Sequence, residues 1–518
     1  MGGKAKLIVI GLDGATWDLI KPWAEEGELP TFRYLMENGS WGILKSTIPP
    51  MTPPGWTSMV TGVNPGKHGV YDFFYYKDGS LKLVTSKRIK SPRVWQILDK
   101  YGYKSLVLNV PVLFPPDKIN GVCVSGMLAP GLDSEFAYPR NLKERLLSKG
   151  YTIETDPEEW VTEMRRKIHK NKKEVLEGIV EKYNDEVRVK KEITLELLEK
   201  EHPDFVFIVF ESTDRLQHYF WDDEGLEHVL SHYKFLDTAI GELITAGENV
   251  MIVSDHGFSQ IKRVFYINSW LYHKGYLKLK TSPWKFRTKY RIFKLGKKLL
   301  GLAYKLNLPV DRVVKTVNVS GISEIDLDAS QAYCLTYTSM GIFIGNVKNK
   351  EELKDKIVKE LNGLKDPQTG KSFLKAFKKE QLYYGNELKG APDIVLLMEK
   401  GYTLSNVFLP PDKKLIQNSF LLSPSEGLSF KNGDHSIDGI VLLYGKYFRK
   451  NAKIQAKIWD ITPTILYLFD VPLPTHLDGR VITDGISPEI LERKKIKRGD
   501  LVNLKKIARK LKLEGGSK

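Results

Sequence analysis

The residues that could do chemistry here are aspartates, histidines and one threonine, and their position next to apolar runs singles them out. Asp13 stands in Gly11-Leu12-Asp13-Gly14, directly after an apolar run at 6–10. Asp214 and His218 follow the run at 205–210 and lie four apart, so a helix starting near Ser212 would put both on one face. Asp255 and His256 follow the run at 250–253, and His435 comes shortly before the run at 440–443. Each piece alone has an ordinary role. Asp13 suits a turn, Asp214 a helix cap, and an i, i+4 Asp–His pair a simple ion pair. Together, carboxylates and imidazoles at successive strand ends are ligands suited to zinc or manganese.

Thr52 lies in Pro49-Pro50-Met51-Thr52-Pro53-Pro54-Gly55-Trp56. The prolines remove backbone donors and fix φ, so the segment reads as a rigid loop. A helix starting near Gly55 would hold Thr52 just ahead of its N-terminus, where N–H groups favour an anion or a developing alkoxide. A free hydroxyl is a poor nucleophile at neutral pH, and coordination to a dication favours its alkoxide.

Positioning such residues requires strands whose ends converge. The runs at 6–10, 105–110, 205–210, 250–253, 394–397 and 440–443 are β-rich and unbroken, as strands buried on both faces are. Helical patterns at 92–101 and 231–246 fall between them. The alternation predicts an α/β fold: a mostly parallel central sheet with helices on both faces, whose ligands bind beyond the carboxyl ends of the strands. Residues 158–199 read as a charged helical stretch forming a solvated outer layer.

At 518 residues, 42% hydrophobic and 27% charged, the chain can bury a large core and form more than one lobe. Its two cysteines, Cys123 and Cys334, exclude a disulfide framework and a cysteine zinc site, and fit a reducing compartment. The first apolar run is too short for a signal peptide, Lys6 breaks the myristoylation pattern, and no stretch has transmembrane length. The expectation is a cytoplasmic protein. Abundant lysine and scarce glutamine fit a thermophile.

The net charge of +16 implies anionic partners. Residues 259–310 hold thirteen Lys or Arg and no Asp or Glu. Within them 284–300 interleaves bases with aromatics, and 493–512 in the tail is basic and amphipathic. Both suit peripheral contact with an anionic membrane. A nucleic-acid partner would rest on net charge alone and is not expected. Gly62-Val63-Asn64-Pro65-Gly66-Lys67-His68 has the wrong spacing for a phosphate-binding P-loop, and no G-x-S-x-G elbow occurs.

In combination these motifs resemble the alkaline phosphatase superfamily, and within it the type I phosphodiesterase/nucleotide pyrophosphatase family. The segments that carry the resemblance are Gly11–Gly14, Thr52–Gly62 with Asn64–Val70, Asp214-x-x-x-His218, Ser254–Phe258, Gly433–His435, and Asp460–Ile465 with Leu477–Arg480. The resemblance implies two divalent metals, zinc by family habit with manganese the alternative, about 4 Å apart. By motif position Asp13, Thr52, Asp255 and His256 would hold one metal, and Asp214, His218 and His435 the other. Thr52 would be the nucleophile, forming a phospho-threonine. Sulfatases need a modifiable Cys or Ser there, and phosphoglycerate mutases use Ser. A phosphomonoesterase or phosphotransferase of the same superfamily is the alternative.

One departure stands out. The family's phosphate-contacting Asn falls here at Phe73, beside Asp72, and no arginine aligns with the phosphate clamp of alkaline phosphatases. Substrate oxygens would then be held by N–H groups near Pro53–Trp56, by Lys67, or by the basic insert. The implied organisation is a discontinuous catalytic domain at 1–258 and 325–485, a basic insert or cap at 259–324, and a basic tail at 486–518. The implied substrate is a phosphorylated small molecule or lipid headgroup: a nucleotide, nucleotide-sugar or phospholipid.

Overall fold

The computed structural model describes residues 4–77, 80–154, 172–281, 324–424 and 431–499. The central sheet contains β1 (Leu7–Leu12), β2 (Ser40–Lys45), β3 (Ser105–Val110), β4 (Gly121–Ser125), β5 (Ala137–Tyr138), β6 (Phe205–Phe210), β7 (Asn249–Val253), β8 (Asp438–Gly445) and β9 (Ala452–Lys457). Their spatial order is β9-β2-β8-β7-β1-β6-β3-β4-β5. All run in one direction except β5 and β8. The mostly parallel α/β sheet expected from the apolar runs is therefore present.

Alternate residues of each central strand feed opposite cores. Ile8, Ile10 and Leu12 of β1, with Val206, Ile208 and Phe210 of β6, pack under the helices Trp17–Glu25, Pro30–Asn38 and Gly225–Ile244. Leu7 and Val9, with Phe205, Phe207 and Val209, pack under Thr52–Thr61, Val94–Lys100 and Ile461–Leu468. Burial on both faces is why these strands carry no polar alternation.

Two expectations are corrected here. The run at 394–397 belongs to a different sheet. The strand Ile394–Met398 lies in a four-stranded antiparallel sheet with Ala332–Tyr333, Gly341–Ile344 and Leu374–Lys378. Helix Lys172–Glu201 is also more than a solvated layer. Leu176, Ile179, Tyr183, Val187 and Leu197 join the core, and Glu186 and Lys190 are buried with them. Residues 158–171 of that stretch lie outside the described residues.

The antiparallel sheet belongs to a second lobe with its own core. Residues 261–277 and 325–422 share one apolar cluster. The strand Gly257–Gln260 leads out of the main sheet, and Gly433–Ser436 leads back, paired antiparallel with it. Segment 284–300 lies outside the described residues, as does 500–518. The start of the tail folds back: Arg498–Gly499 pairs with Leu473–Pro474, and the Lys494 ammonium bonds the Leu468 carbonyl at 3.0 Å. Among the described residues no helix is long and apolar enough to cross a membrane.

Candidate metal centre and nucleophile

The sheet brings the seven strand-end residues together at one edge. Asp13 leaves the carboxyl end of β1. Asp214 and His218 lie on helix Ser212–Phe220 directly after β6, and Asp255 and His256 directly after β7. His435 precedes β8, and because β8 runs antiparallel, its start lies at that same edge. Thr52 follows β2, whose carboxyl end lies there too.

The helix carrying Thr52 starts three residues earlier than expected. It spans Thr52–Thr61, with Thr52 as its first residue and Met51 as its extended cap. Pro53 and Pro54 fit the first turn, where a missing N–H costs no helical hydrogen bond. They also reduce what the backbone offers an anion. Neither has an N–H, and the Gly55 N–H donates to the Met51 carbonyl at 2.8 Å. The stretch near Pro53–Trp56 is accordingly a poor donor nest for phosphate oxygens. Gly55 packs closely on the site, since a Cβ there would lie 3.1 Å from the Asp255 Cβ.

Helix Thr52–Thr61, with the turn that follows it to residue 64, is clamped by segment 460–480. The Thr462 hydroxyl donates to the Met59 carbonyl at 2.6 Å, and the Asp478 N–H to the Gly62 carbonyl at 2.9 Å. The Asn64 amide and backbone N–H both donate to Asp478. His68 Nε2 meets the Ser58 hydroxyl at 2.9 Å, and burial pushes its imidazole down to about 3. His68 is therefore a neutral strut.

Two clusters of ligand atoms result. Asp13, Asp255 and His256 form one, and Asp214, His218 and His435 the other, with the offered atoms of each within 4.8 Å of one another. His256 Nε2 lies 3.5 Å from Asp13 Oδ1 and 3.2 Å from Asp255 Oδ2. His435 Nε2 lies 3.1 Å from Asp214 Oδ1 and 3.1 Å from His218 Nε2. Thr52 Oγ1 is 3.3 Å from His256 Nε2.

The donor set fits divalent cations on two independent observations. Asp13 Oδ1, Asp214 Oδ1 and Asp255 Oδ2 are buried without a hydrogen-bond partner, a costly arrangement unless a cation satisfies them. Each histidine also turns Nδ1 to a backbone carbonyl: His218 to Gly433 at 2.9 Å, His435 to Pro50 at 2.9 Å, His256 to Gly257 at 3.1 Å. An Nδ1–H held by a carbonyl leaves the Nε2 lone pair aimed into the cluster, as metal-binding imidazoles require.

Electrostatics agree. Burial, then the neighbouring Asp214, pushes the Asp13 carboxyl up to about 7. Burial, then Asp13 and Asp214, raises Asp255 well above the usual carboxylate range. Asp214 goes the other way: burial opposes its charge, but His218 and His435 more than offset it. Burial keeps His218 neutral, lowered to about 3, and pushes His256 well down.

Three further contacts surround the clusters, and of their residues only Glu211, directly after β6, stands at a strand end. The Trp56 indole N–H donates to Asp13 Oδ2 at 3.0 Å and so orients the carboxylate. Gly11 leaves room for it, since a Cβ there would fall 2.4 Å from Trp56 Cη2. Glu211, just ahead of the helix bearing Asp214, takes the buried Lys190 ammonium at 2.7 Å, and Lys190 also bonds Glu186 at 2.6 Å. Lys431 places its ammonium 3.3 Å from His218 Nε2 and 5.6 Å from the Tyr337 ring centroid. Its only sequence signal is a position four residues before His435.

The bonds of Lys67 and Asp72 run elsewhere. The Lys67 ammonium donates to the His476 carbonyl at 2.8 Å, pairs with Asp478 and sits over the Tyr384 ring. Asp72 is buried and accepts the Thr336 hydroxyl and the Phe73 N–H, tying the loop to the lobe. Phe73 is half-buried at the root of a hairpin.

Solved structures share this fold across nearly the whole chain. Human ectonucleotide pyrophosphatase/phosphodiesterase 5 aligns with TM-score 0.52 and 16% identity, covering 93% of this chain and 100% of that one. Its murine counterpart, as an inactive variant in complex with AMP, aligns at 0.51 and 16%, with the same coverage. Phosphonoacetate hydrolase from Sinorhizobium meliloti, in complex with phosphonoacetate, aligns at 0.56 and 14%, covering 89% and 94%. No curated protein sequence matches significantly. The family model for type I phosphodiesterase / nucleotide pyrophosphatase matches residues 7–437, and with the fold and these paired clusters in place, the chain belongs to that family.

Proposed function

We propose that this protein is a two-metal phosphohydrolase that cleaves a phosphodiester or pyrophosphate through a phospho-Thr52 intermediate. The observation that carries the reading is the convergence of three partnerless buried carboxylate oxygens and three Nε2 atoms beside the Thr52 hydroxyl. Similar folds that hold AMP and phosphonoacetate support an anionic phosphorus group as substrate.

Asp13, Asp255 and His256, with Thr52, would hold one divalent ion, and Asp214, His218 and His435 the other. When bound, such ions supply Lewis acidity: they favour the Thr52 alkoxide and offset charge on the departing oxygen. Thr52 Oγ1 attacks phosphorus and the bond to the leaving oxygen breaks. Water then cleaves the Thr52 phosphate ester, giving phosphate or a phosphomonoester and restoring the hydroxyl. The first helical turn fixes the Thr52 backbone, and Trp56 keeps Asp13 in place. Lys431 takes over phosphate holding, which the absent Asn and Arg cannot perform. Its ammonium beside the second cluster suits a non-bridging oxygen.

The test is turnover of bis-p-nitrophenyl phosphate and p-nitrophenyl phosphate with Zn²⁺ or Mn²⁺. Faster diester turnover that EDTA abolishes is the expected result. A faster monoester would move the protein to the phosphomonoesterase branch. Absence of turnover on both and on nucleoside-diphosphate esters would contradict the reading. Lys431→Met should lower kcat/KM by roughly 10–100-fold, the worth of one charge-assisted hydrogen bond, with metal content unchanged.

A further inference from the structure

The strands Phe74–Lys77 and Ser80–Leu83 form a hairpin that pairs Phe74 with Leu83 and Tyr76 with Leu81. Side chains alternate faces along a strand, so these four share one face. That face is open: Phe74 is 38% exposed, Tyr76 52%, Leu81 40% and Leu83 51%. A two-stranded ribbon is marginal alone and must be held by its other face. Here Tyr75 does that. Its ring packs against the buried cluster of Val70, Val84 and Val112, and the Arg88 guanidinium sits 5.0 Å from its centroid. The hairpin is thus anchored on one side and presents phenyl, phenol and isobutyl groups to water on the other. An exposed apolar patch of this kind, rimmed by polar residues, marks an interaction surface.

The charge around the ribbon identifies the partner. Lys77, Lys82, Lys87 and Lys90 are exposed, Lys77 and Lys82 on the ribbon's alternate face, while Arg88 is held at the Tyr75 ring; Asp78 is the single acid between 74 and 90, in a protein of net charge +16. Exposed aromatic and leucine side chains with long lysines close by match the boundary between lipid headgroups and acyl chains, where rings sit at headgroup level and lysines reach to anionic phosphates. We infer that this hairpin docks the enzyme on an anionic lipid bilayer, inserting Phe74, Tyr76, Leu81 and Leu83 among the headgroups. The hairpin follows the Asn64–Val70 segment, which His68 pins to the nucleophile helix. Docking there would hold the catalytic edge in a fixed relation to the membrane.

The test is co-sedimentation of the full-length, metal-loaded protein with large vesicles of phosphatidylglycerol and phosphatidylcholine, against phosphatidylcholine alone. Phe74→Ser/Leu83→Ser is compared with Leu147→Ser, an exposed leucine far along the chain. The expected results are a wild-type preference for the anionic vesicles, a partition coefficient at least tenfold lower in the double variant, and little change in the control. Melting temperature and turnover of soluble p-nitrophenyl esters should be unchanged, which separates docking from folding and from catalysis. Wild type that stays in the supernatant overturns the inference. So does a double variant that binds as wild type does, including one whose binding is then lost on removing 500–518. Conversion of a wild-type dimer to a monomer by the same pair would assign the face to a second copy and overturn it as well.

Discussion

Thr52→Ala should lower turnover of phosphate esters by roughly 10⁴-fold or more, the scale seen when a nucleophile is removed from an otherwise intact site. Alanine deletes the hydroxyl at the first helical position and leaves Pro53 and Pro54 to start the helix. Asp13, Asp255 and His256 remain to hold their ion, so metal content should fall little. Thr52→Ser keeps the attacking oxygen and should stay within about tenfold of wild type, because the hydroxyl rather than the methyl does the chemistry. Steady-state kinetics beside metal analysis of the same samples makes the distinction. If Thr52→Ala turns over within tenfold of wild type, attack comes directly from water, and the phospho-threonine route is wrong.

The second large effect is on stability, and its sign depends on the metal. Asp13 is buried with one oxygen unpartnered, and its carboxyl is pushed up to about 7 from an ordinary 3.8. The folded metal-free protein therefore holds a proton there that the unfolded chain has released. Its stability falls as pH rises from about 4 to about 7, by up to roughly 1.4 kcal/mol per pH unit for one proton. Asp255, raised well above its ordinary value, adds to the same fall, whereas Asp214, held below its ordinary value, acts only below that window. The buried histidines His68, His218, His232 and His256, all lowered by burial, give the opposite slope below about pH 6.5. The carboxylate effect is therefore read as a difference between wild type and Asp13→Asn. The amide oxygen still accepts the Trp56 N–H, and the NH₂ faces His256 Nε2 in place of an orphaned oxygen. In EDTA, Asp13→Asn should melt above wild type at pH 8, with the gap closing towards pH 4. With metal the order reverses. Wild type gains about 2.7 kcal/mol at a hundred times the dissociation constant, and the variant loses most of that gain. A variant less stable in EDTA at pH 8, with its metal gain intact, would show that Asp13 is a structural carboxylate.

What could be read from the sequence follows from what is local. The six ligands stood out because each borders an apolar run, and a doubly covered sheet keeps such runs unbroken. His435 precedes its strand instead of following it, which is the mark of an antiparallel strand in a parallel sheet. The same rule misplaced 394–397, since a strand at the core of an antiparallel lobe is equally apolar. The helix start at Thr52 is hidden in the sequence because proline breaks a helix interior, whereas the first turn accepts it. Trp56, Lys431 and the Lys190–Glu211 pair escaped for another reason. Their roles are contacts across 43, 213 and 21 residues, and even Glu211, which directly follows the run at 205–210, and Trp56, within the Thr52 segment, carry no local sign of the partner they meet.

The central claim is that Asp13, Asp255 and His256, and separately Asp214, His218 and His435, each hold a divalent ion. The most direct measurement is metal content per chain after zinc loading and gel filtration, by inductively coupled plasma mass spectrometry, for wild type and for His435→Ala. The account predicts two ions in wild type and one in the variant. One ion or none in wild type, or two in both proteins, would contradict it.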